Sequence, residues 1–104
     1  LTTVDTDLAT FGLSICYDLR FPRLYRALAA QGAAVLFVPA AFSLHTGTDH
    51  WEPLLRARAI ENQAYVVAKA SDRPGMVTAT IDLDYLADTR AGLRTLDHVR
   101  PDRH

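Results

Sequence analysis

Residues 11–39, FGLSICYDLRFPRLYRALAAQGAAVLFVP, carry the pattern that decides the fold. The run at residues 11–15 is short and apolar, which predicts a buried strand, and Cys16 stands where that run stops. In residues 23–31 the apolar positions recur at helical spacing, after a proline and before a glycine, so we expect a helix there. Residues 33–39 are apolar throughout and too few for a core helix, which favours a strand covered on both faces. A strand, a helix and a second strand in this order predict a parallel crossover pair.

A second helix is predicted after a loop at residues 40–48, which contains a glycine and shows no periodicity. Asp49 and Glu52 stand in the N-cap and N3 relation of a capping box, so this helix should begin near residue 50 and run to about residue 63. Pro53 would then fall in the first turn, where a missing N–H costs no helical hydrogen bond. The apolar positions from Trp51 onwards would face the core.

The rest of the chain predicts two more strands and one more helix. Residues 64–70 are β-branched and aromatic enough for a third strand, residues 71–75 have turn chemistry, and residues 76–81 would form a fourth strand. Asp82 can cap a last helix that runs through residues 83–90 and ends near Gly92. The tail after this helix is polar and broken by proline.

The alternation of strands and helices predicts an α/β fold of layered type. In such folds the functional residues lie at strand ends and in the loops that follow them. Cys16 and the loop at residues 40–48 both occupy such positions. If the first two strands are adjacent, these two segments should line the same rim.

Composition excludes several classes of function. The 104 residues are 49% apolar, which allows one modest core. With 11 basic and 12 acidic residues the net charge is -1, and neither sign forms a block, so nucleic acid and membrane surfaces are poor partners. The first ten residues do not fit a secretory leader, so we expect a cytoplasmic protein. Because no His, Cys, Asp or Glu residues have metal-ligand spacing and no Gly-rich phosphate loop occurs, no metal or cofactor is expected.

Cys16 is the single cysteine, and it cannot form an intrachain disulfide. It is therefore a packed thiol, a redox site or a nucleophile. A thiol at a strand-to-helix turn would be exposed, and the backbone N–H of Tyr17 could point into the same space, as nucleophile elbows do. Catalysis also needs a base or cation to form the thiolate, and His50 is one conceivable base. On position alone an inert packed thiol is favoured, since buried free cysteine is common.

The wider sequence carries a resemblance to a known family. Residues 12–22 (GLSICYDLRFP), 29–42 (AAQGAAVLFVPAAF) and 46–68 (TGTDHWEPLLRARAIENQAYVVA) resemble, in order and spacing, the nitrilase superfamily of carbon-nitrogen hydrolases. They look like the nucleophile motif of that superfamily and the strand, loop and helix that follow it in omega-amidase and deaminated-glutathione-amidase type members. Residues 81–93 (IDLDYLADTRAGL) and 98–102 (HVRPD) resemble the closing helix and tail of the same members.

The resemblance implies that residues 1–104 form one truncated domain, a part of a four-layered α-β-β-α sandwich. It implies attack of a thiolate on a carboxamide or nitrile carbon, hydrolysis of the resulting thioester, and release of ammonia. By match of motif, Cys16 is the nucleophile, and Tyr17 gives its backbone N–H to the oxyanion site. Arg20 lies where some relatives hold a substrate carboxylate, and Ala41 completes the predicted substrate-binding set. A structural ion pair of Arg20 with Asp18 or another carboxylate stays an equal alternative.

This sequence departs from the family pattern at three places. The family uses a glutamate as general acid/base and a lysine that stabilises the tetrahedral intermediate, both upstream of the nucleophile. Only fifteen residues precede Cys16 and none is Glu or Lys, while the sole lysine, Lys69, lies far downstream. Arg23 replaces a usual glutamate after the proline. Residues 71–75 lead straight on to Met76, where relatives have an intervening strand pair.

Two hypotheses of different class follow. In the first, the sequence belongs to an amidase whose N-terminal part is missing from these residues or comes from another chain, so that the 104 residues alone are inactive. Its substrates would be short omega-amides, other small carboxamides or nitriles. In the second, the chain is a non-catalytic remnant or assembly module. Both hypotheses suit a homo-oligomer or association with a fuller relative.

Overall fold

A computed structural model of the chain describes residues 1–41, 44–70, 76 and 78–98. Its strands are β1 (Thr2–Asp5), β2 (Thr10–Leu13), β3 (Val35–Ala40) and β4 (Tyr65–Ala70). Its α-helices are α1 (Pro22–Ala30), α2 (Leu44–Asn62) and α3 (Leu83–Gly92), and the segments Cys16–Arg20 and Thr95–His98 are short 3₁₀ helices. The prediction of an α/β fold is confirmed.

The described strands form one mixed sheet in the order β1-β2-β3-β4. β2, β3 and β4 are parallel, so the predicted strand-helix-strand crossover is confirmed. β1 pairs antiparallel with β2 and was not predicted. Its hairpin turn is stabilised by Thr6, whose Oγ donates to the carbonyl of Ala9 at 2.7 Å and accepts from two backbone N–H groups. A polar threonine at this position therefore closes a turn that carries neither an Asn-Gly nor an Asp-Gly signal.

α1 and α2 pack on one face of the sheet. The side chains of a strand alternate between its faces, and Leu36 and Val38 of β3 are fully buried in the same cluster as Tyr25 and Leu28 of α1. Gly12 of β2 lies under this cluster, since a Cβ placed there would lie 2.8 Å from the Leu36 Cδ2 atom. α1 therefore lies close against the sheet at the strand that leads to Cys16.

The opposite face of the sheet is apolar as well. Phe11, Val35, Phe37 and Val67 line a groove of about 300 Å³, together with side chains from the hairpin turn and from residues 79–83. The rings of Phe11 and Phe37 meet edge to face with centroids 5.4 Å apart. The strands thus have apolar side chains on both faces, as their unbroken apolar runs predict.

α2 begins earlier than predicted. Its first residue is Leu44, so residues 44–48 are helical rather than part of a loop. Asp49 and Glu52 therefore do not form an N-terminal capping box, and Pro53 lies inside the helix rather than in its first turn. Glu52 instead accepts from the guanidinium of Arg56, one turn later, at 2.8 Å. The packing of Trp51 and its apolar neighbours against the core outweighs the local cost of the proline.

The predicted fourth strand is wrong for the residues described. Met76 and residues 78–81 join no ladder, and Met76 is exposed. Without a neighbouring strand to accept its hydrogen bonds, a β-branched segment has no sheet to extend. The Tyr65 hydroxyl instead accepts from the Asp82 N–H and donates to the Asp82 carbonyl. The predicted turn at residues 71–75 and the end of the tail lie outside the described residues.

The last helix is confirmed, with Asp82 as its N-cap. The Asp82 carboxylate accepts from the backbone N–H of Tyr85 at 2.9 Å, and the helix ends at Gly92, where its end was predicted. Arg90 joins this helix to the sheet, because its guanidinium donates to the backbone carbonyls of Gln63 and Ala33 at 2.8 and 3.3 Å. Burial lowers the pKa of the Arg90 guanidinium. None of the described helices is long and apolar enough to cross a bilayer.

Candidate active site around Cys16

Cys16 lies in a strained turn after β2, as the first residue of the 3₁₀ helix Cys16–Arg20. Its φ of +49° is in the left-handed region, which is rare for a residue with a side chain. Asp18 holds the turn, since its carboxylate accepts from the Ile15 N–H at 2.9 Å and its own N–H donates to the Ile15 carbonyl at 3.0 Å. Backbone strain of this kind costs about 1–3 kcal/mol and clusters at functional sites.

The thiol meets the loop after β3. Cys16 is half-buried, and its Sγ donates to the Ala41 carbonyl at 3.7 Å. The two segments come together because β2 and β3 are parallel neighbours, with Leu13 opposite Phe37, so their carboxyl ends share an edge. The predicted rim is therefore formed by Cys16 and Ala41. A carbonyl can only accept, so Ala41 cannot stabilise an oxyanion through this atom, but it can accept from the NH₂ of a carboxamide.

Tyr17 supplies a backbone donor beside the thiol. Among the hydrogen bonds of the described residues, none uses the Tyr17 N–H. The Tyr17 side chain is 67% exposed, and its ring meets that of Phe21 with centroids 5.7 Å apart. Within the described part of the chain this N–H therefore has no partner, and its role as an oxyanion donor stays a prediction.

Arg20 lies against Tyr17 and His50. Its guanidinium is 5.7 Å from the centroid of the Tyr17 ring, and its Nη2 is 3.3 Å from His50 Nδ1. Within the described residues Arg20 forms no ion pair, with Asp18 or with another carboxylate. The alternative prediction, a structural ion pair of Arg20, is therefore not found among the described residues. His50, considered above as a base for Cys16, instead lies beside a cation, and the two groups together suit an anion.

Two buried polar side chains, Ser14 and Arg58, contact the segment around Cys16, and neither was predicted to do so. Ser14 is 5% exposed, and its Oγ lies 2.7 Å from the Tyr25 hydroxyl and 3.0 Å from the Phe37 carbonyl. Arg58, which is 6% exposed, donates from Nε to the Leu19 carbonyl at 3.0 Å. The signals in the sequence were a serine inside an apolar strand and an arginine on the inner side of a helix, both of which need partners when buried.

The surroundings of Tyr25 keep its phenol neutral. Burial raises the pKa of Tyr25, and the charge of Asp18 adds to this, while the Ser14 hydrogen bond and the Arg58 charge act in the other direction. Among the described residues no group of three His, Cys, Asp or Glu side chains could hold a metal ion. The groove of about 300 Å³ lies on the opposite face of the sheet and is not lined by Cys16.

Comparison with known proteins finds several relatives. Residues 1–73 match the family model of the carbon-nitrogen hydrolases. The deaminated glutathione amidase of Synechocystis sp. (strain PCC 6803 / GT-S) is 44% identical over an alignment of 115 positions, which covers 84% of this chain and 42% of that protein. The chain thus spans about two fifths of the length of this curated relative.

Solved structures of similar proteins share the fold. The C. elegans NitFhit protein matches with a TM-score of 0.86 and 39% identity, covering 100% of this chain and 32% of that chain. A mutant amidase from Nesterenkonia sp. AN1 matches with a TM-score of 0.58 and 33% identity, covering 66% of this chain and 26% of that chain. In that amidase the acetamide moiety of fluoroacetamide is covalently added at the active site cysteine.

The alignment with the Synechocystis protein contains positions that this chain lacks. Because 84% of 104 residues is about 87 residues, about 28 of the 115 aligned positions face no residue of this chain. The family match ends at residue 73. The expected lack of a segment after residues 71–75 stays a prediction.

Proposed function

Because the chain belongs to the carbon-nitrogen hydrolase family, we propose that it forms the nucleophile-bearing part of an amidase that acts through a thioester on Cys16. The observation that carries this proposal is the turn itself. Cys16 has a left-handed backbone conformation, and the N–H of the next residue has no hydrogen-bond partner among the described residues. A merely packed cysteine needs neither feature.

The chemistry follows from these positions. The Cys16 thiolate attacks the carbonyl carbon of a carboxamide, a C–S bond forms, and the C=O electron pair moves to oxygen. The Tyr17 N–H donates to this oxyanion. The C–N bond then breaks, and the nitrogen takes up a proton and leaves as ammonia. Water adds to the thioester, the C–S bond breaks, and the carboxylic acid leaves as the thiol is restored.

The other catalytic groups come from residues outside this sequence. Proton transfer to the leaving nitrogen needs an acid, and a second donor to the oxyanion would complete the site. Two glutamates of this chain are paired elsewhere, Glu52 with Arg56 and Glu61 with Arg58. The acid/base glutamate and the lysine therefore belong to a longer chain or to a second chain. The 104 residues alone should not hydrolyse the substrate.

The substrate class is a short amide that carries a carboxylate. Arg20 lies over the Tyr17 ring and contacts His50, and neither nitrogen group has a carboxylate partner among the described residues. A guanidinium binds a carboxylate through two parallel hydrogen bonds. The Ala41 carbonyl can accept from the carboxamide NH₂ at the other end of the substrate. Omega-amides of dicarboxylic or keto acids have both groups, in line with the amidase relative.

The test is ammonia release from such omega-amides by the protein purified from its native source and by its Cys16→Ala variant. We expect release by the unchanged protein and none by the variant. Retained helix content, measured by circular dichroism, serves as the control for folding. Equal release by Cys16→Ala would rule out the thioester route.

A second candidate is the non-catalytic assembly module that the sequence leaves open. The intact mass of the native protein separates the two. A mass far above 11.5 kDa favours the amidase, with the missing groups on the same chain. A mass near 11.5 kDa, together with binding to a fuller relative and no ammonia release, favours the module.

A further inference from the structure

The turn that carries Cys16 is anchored at both ends by buried polar contacts. Before it, Ser14 donates from its backbone N–H to the Phe37 carbonyl at 3.1 Å, and its Oγ lies 3.0 Å from the same oxygen. After it, the Leu19 carbonyl accepts from Arg58 Nε at 3.0 Å. The peptide between these anchors contains the thiol and the Tyr17 N–H.

The direction of the hydrogen bonds at Ser14 can be assigned. A serine hydroxyl has one proton and the Phe37 carbonyl can only accept, so both contacts of the Ser14 Oγ are hydrogen bonds only when that proton goes to Phe37. The Tyr25 hydroxyl, 2.7 Å from the Ser14 Oγ, must then be the donor to it. This chain of bonds requires a neutral Tyr25 phenol, and burial, which raises the pKa of Tyr25, keeps it neutral.

Tyr25 also joins the two anchors. The Arg58 guanidinium lies 5.8 Å from the centroid of the Tyr25 ring, and Arg58 is held further by Glu61 at 3.0 Å. Tyr25 is 0% exposed, and none of its recorded contacts is with Cys16. One tyrosine and one arginine, on α1 and α2, therefore hold the segments on both sides of a strained residue.

We propose that Tyr25 and Arg58 are positioning residues. They hold the Cys16 thiol and the Tyr17 N–H in the relative position that attack on a carbonyl requires. The inference rests on the proposed function, because it gives Cys16 the role of nucleophile. Strain at Cys16 persists only while the surroundings oppose its release. Removal of one anchor lets the turn relax and moves the donor relative to the sulfur, without removing either group.

Two reagents separate positioning from simple accessibility. With p-nitrophenyl acetate, the thiolate attacks the acetyl carbon, the C=O electron pair passes to oxygen and returns, and p-nitrophenolate leaves with the C–O pair. This route needs an oxyanion donor but no general acid, since the leaving group is stable as an anion. With iodoacetamide, the thiolate displaces iodide at carbon in one step, and no oxyanion forms. The ratio of the acylation rate to the alkylation rate thus reports the alignment of thiol and donor.

The variants are Tyr25→Phe, which removes the donor to Ser14, and Ser14→Ala, which removes the same link from its other end. Each should lower the ratio on the order of 10-fold, less than the ~100-fold that a 1 Å misplacement can cost. The double variant should be no worse than either single variant, since both break one path. Arg58→Lys tests the second anchor and should also lower the ratio. Tyr65→Phe is the matched control, because it removes a tyrosine hydroxyl with two hydrogen bonds, both to Asp82, and should leave the ratio unchanged.

The outcomes are distinct. A fall in the ratio for the anchor variants alone supports the inference. An unchanged ratio in folded Tyr25→Phe and Ser14→Ala, or a loss of fold in both, would overturn it while leaving Cys16 as the nucleophile. If the unchanged protein forms no acetyl thioester at Cys16, the proposed function fails, and the inference fails with it.

Discussion

Gly12 offers a direct test of the packing that places the nucleophile turn. A Cβ at this position would lie 2.8 Å from Leu36 Cδ2 and 3.2 Å from the Cβ atoms of both Ala33 and Leu28. Leu28, Ala33 and Leu36 are all fully buried, so none of them has space to move into. The Gly12→Ala substitution therefore overpacks the contact between α1 and the sheet, four residues before Cys16.

The expected magnitude combines two opposing effects. An extra methyl group in a close-packed core costs about 1–3 kcal/mol. Replacing glycine by alanine also restricts the unfolded chain, which stabilises the fold by about 0.4–1 kcal/mol. Contacts on three sides put the cost near the middle of its range, so we expect a net loss of about 1–2 kcal/mol.

The assay is urea unfolding followed by circular dichroism, with Gly92→Ala as the matched control. Gly92 ends α3 and has no atom within 4 Å of an added Cβ, so that variant should be as stable as the unchanged protein or more so. Because Gly12 precedes the turn, Gly12→Ala should also slow the acylation of Cys16. A Gly12→Ala protein as stable as the Gly92→Ala protein would refute the packing argument.

Two further predictions concern the helix cap and the buried phenol. Asp82→Ala removes the N-cap bond to Tyr85 and should lower the free energy of unfolding by about 1 kcal/mol in urea titrations, whereas Asp88→Ala should change it little. Burial raises the pKa of Tyr25 above its usual 10.0, so the unfolded chain loses this proton first, and the stability from this group is lost as the pH rises beyond about 10. The free energy of unfolding of the unchanged protein should therefore fall relative to Tyr25→Phe, by at most about 1.4 kcal/mol per pH unit. Parallel curves above pH 10 would show that the phenol is not buried.

The elements around Cys16 could be predicted because local and tertiary preferences agree there. In residues 11–39 the apolar runs and the helical spacing indicate the same elements that form, and β2 and β3 do pair in parallel. The hairpin strand β1 was not predicted, because its turn depends on one threonine hydroxyl and has no strong sequence signal. Its four residues have little burial to indicate a strand.

Where local signals and packing disagree, the prediction fails. The capping box at Asp49 and Glu52 and the proline at 53 indicate a helix start, yet α2 begins at Leu44. The apolar face around Trp51 packs on the core with the proline inside the helix. Residues 76–81 have strand-like composition, but composition cannot supply the neighbouring strand that pairing requires.

Some contacts of the candidate site could be predicted from the sequence, and others could not. Cys16 and Ala41 could be placed on one rim from strand order alone, and the structure brings them within 3.7 Å. The contact of Arg20 with His50 spans 30 residues, and the bond of Ser14 to Tyr25 joins the residue after β2 to α1. Neither contact has a sequence spacing that predicts it. Their catalytic and binding roles stay predictions.

The reactivity of Cys16 towards fluoroacetamide tests the central claim most directly. The protein from its native source is treated while folded and while unfolded in urea, and the adduct at Cys16 is followed by peptide mass mapping. A nucleophile that the folded site activates should displace fluoride faster in the folded protein than in urea, by about tenfold or more. A thiol that reacts more slowly when folded would be a packed cysteine, and it would contradict the assignment of Cys16 as the nucleophile.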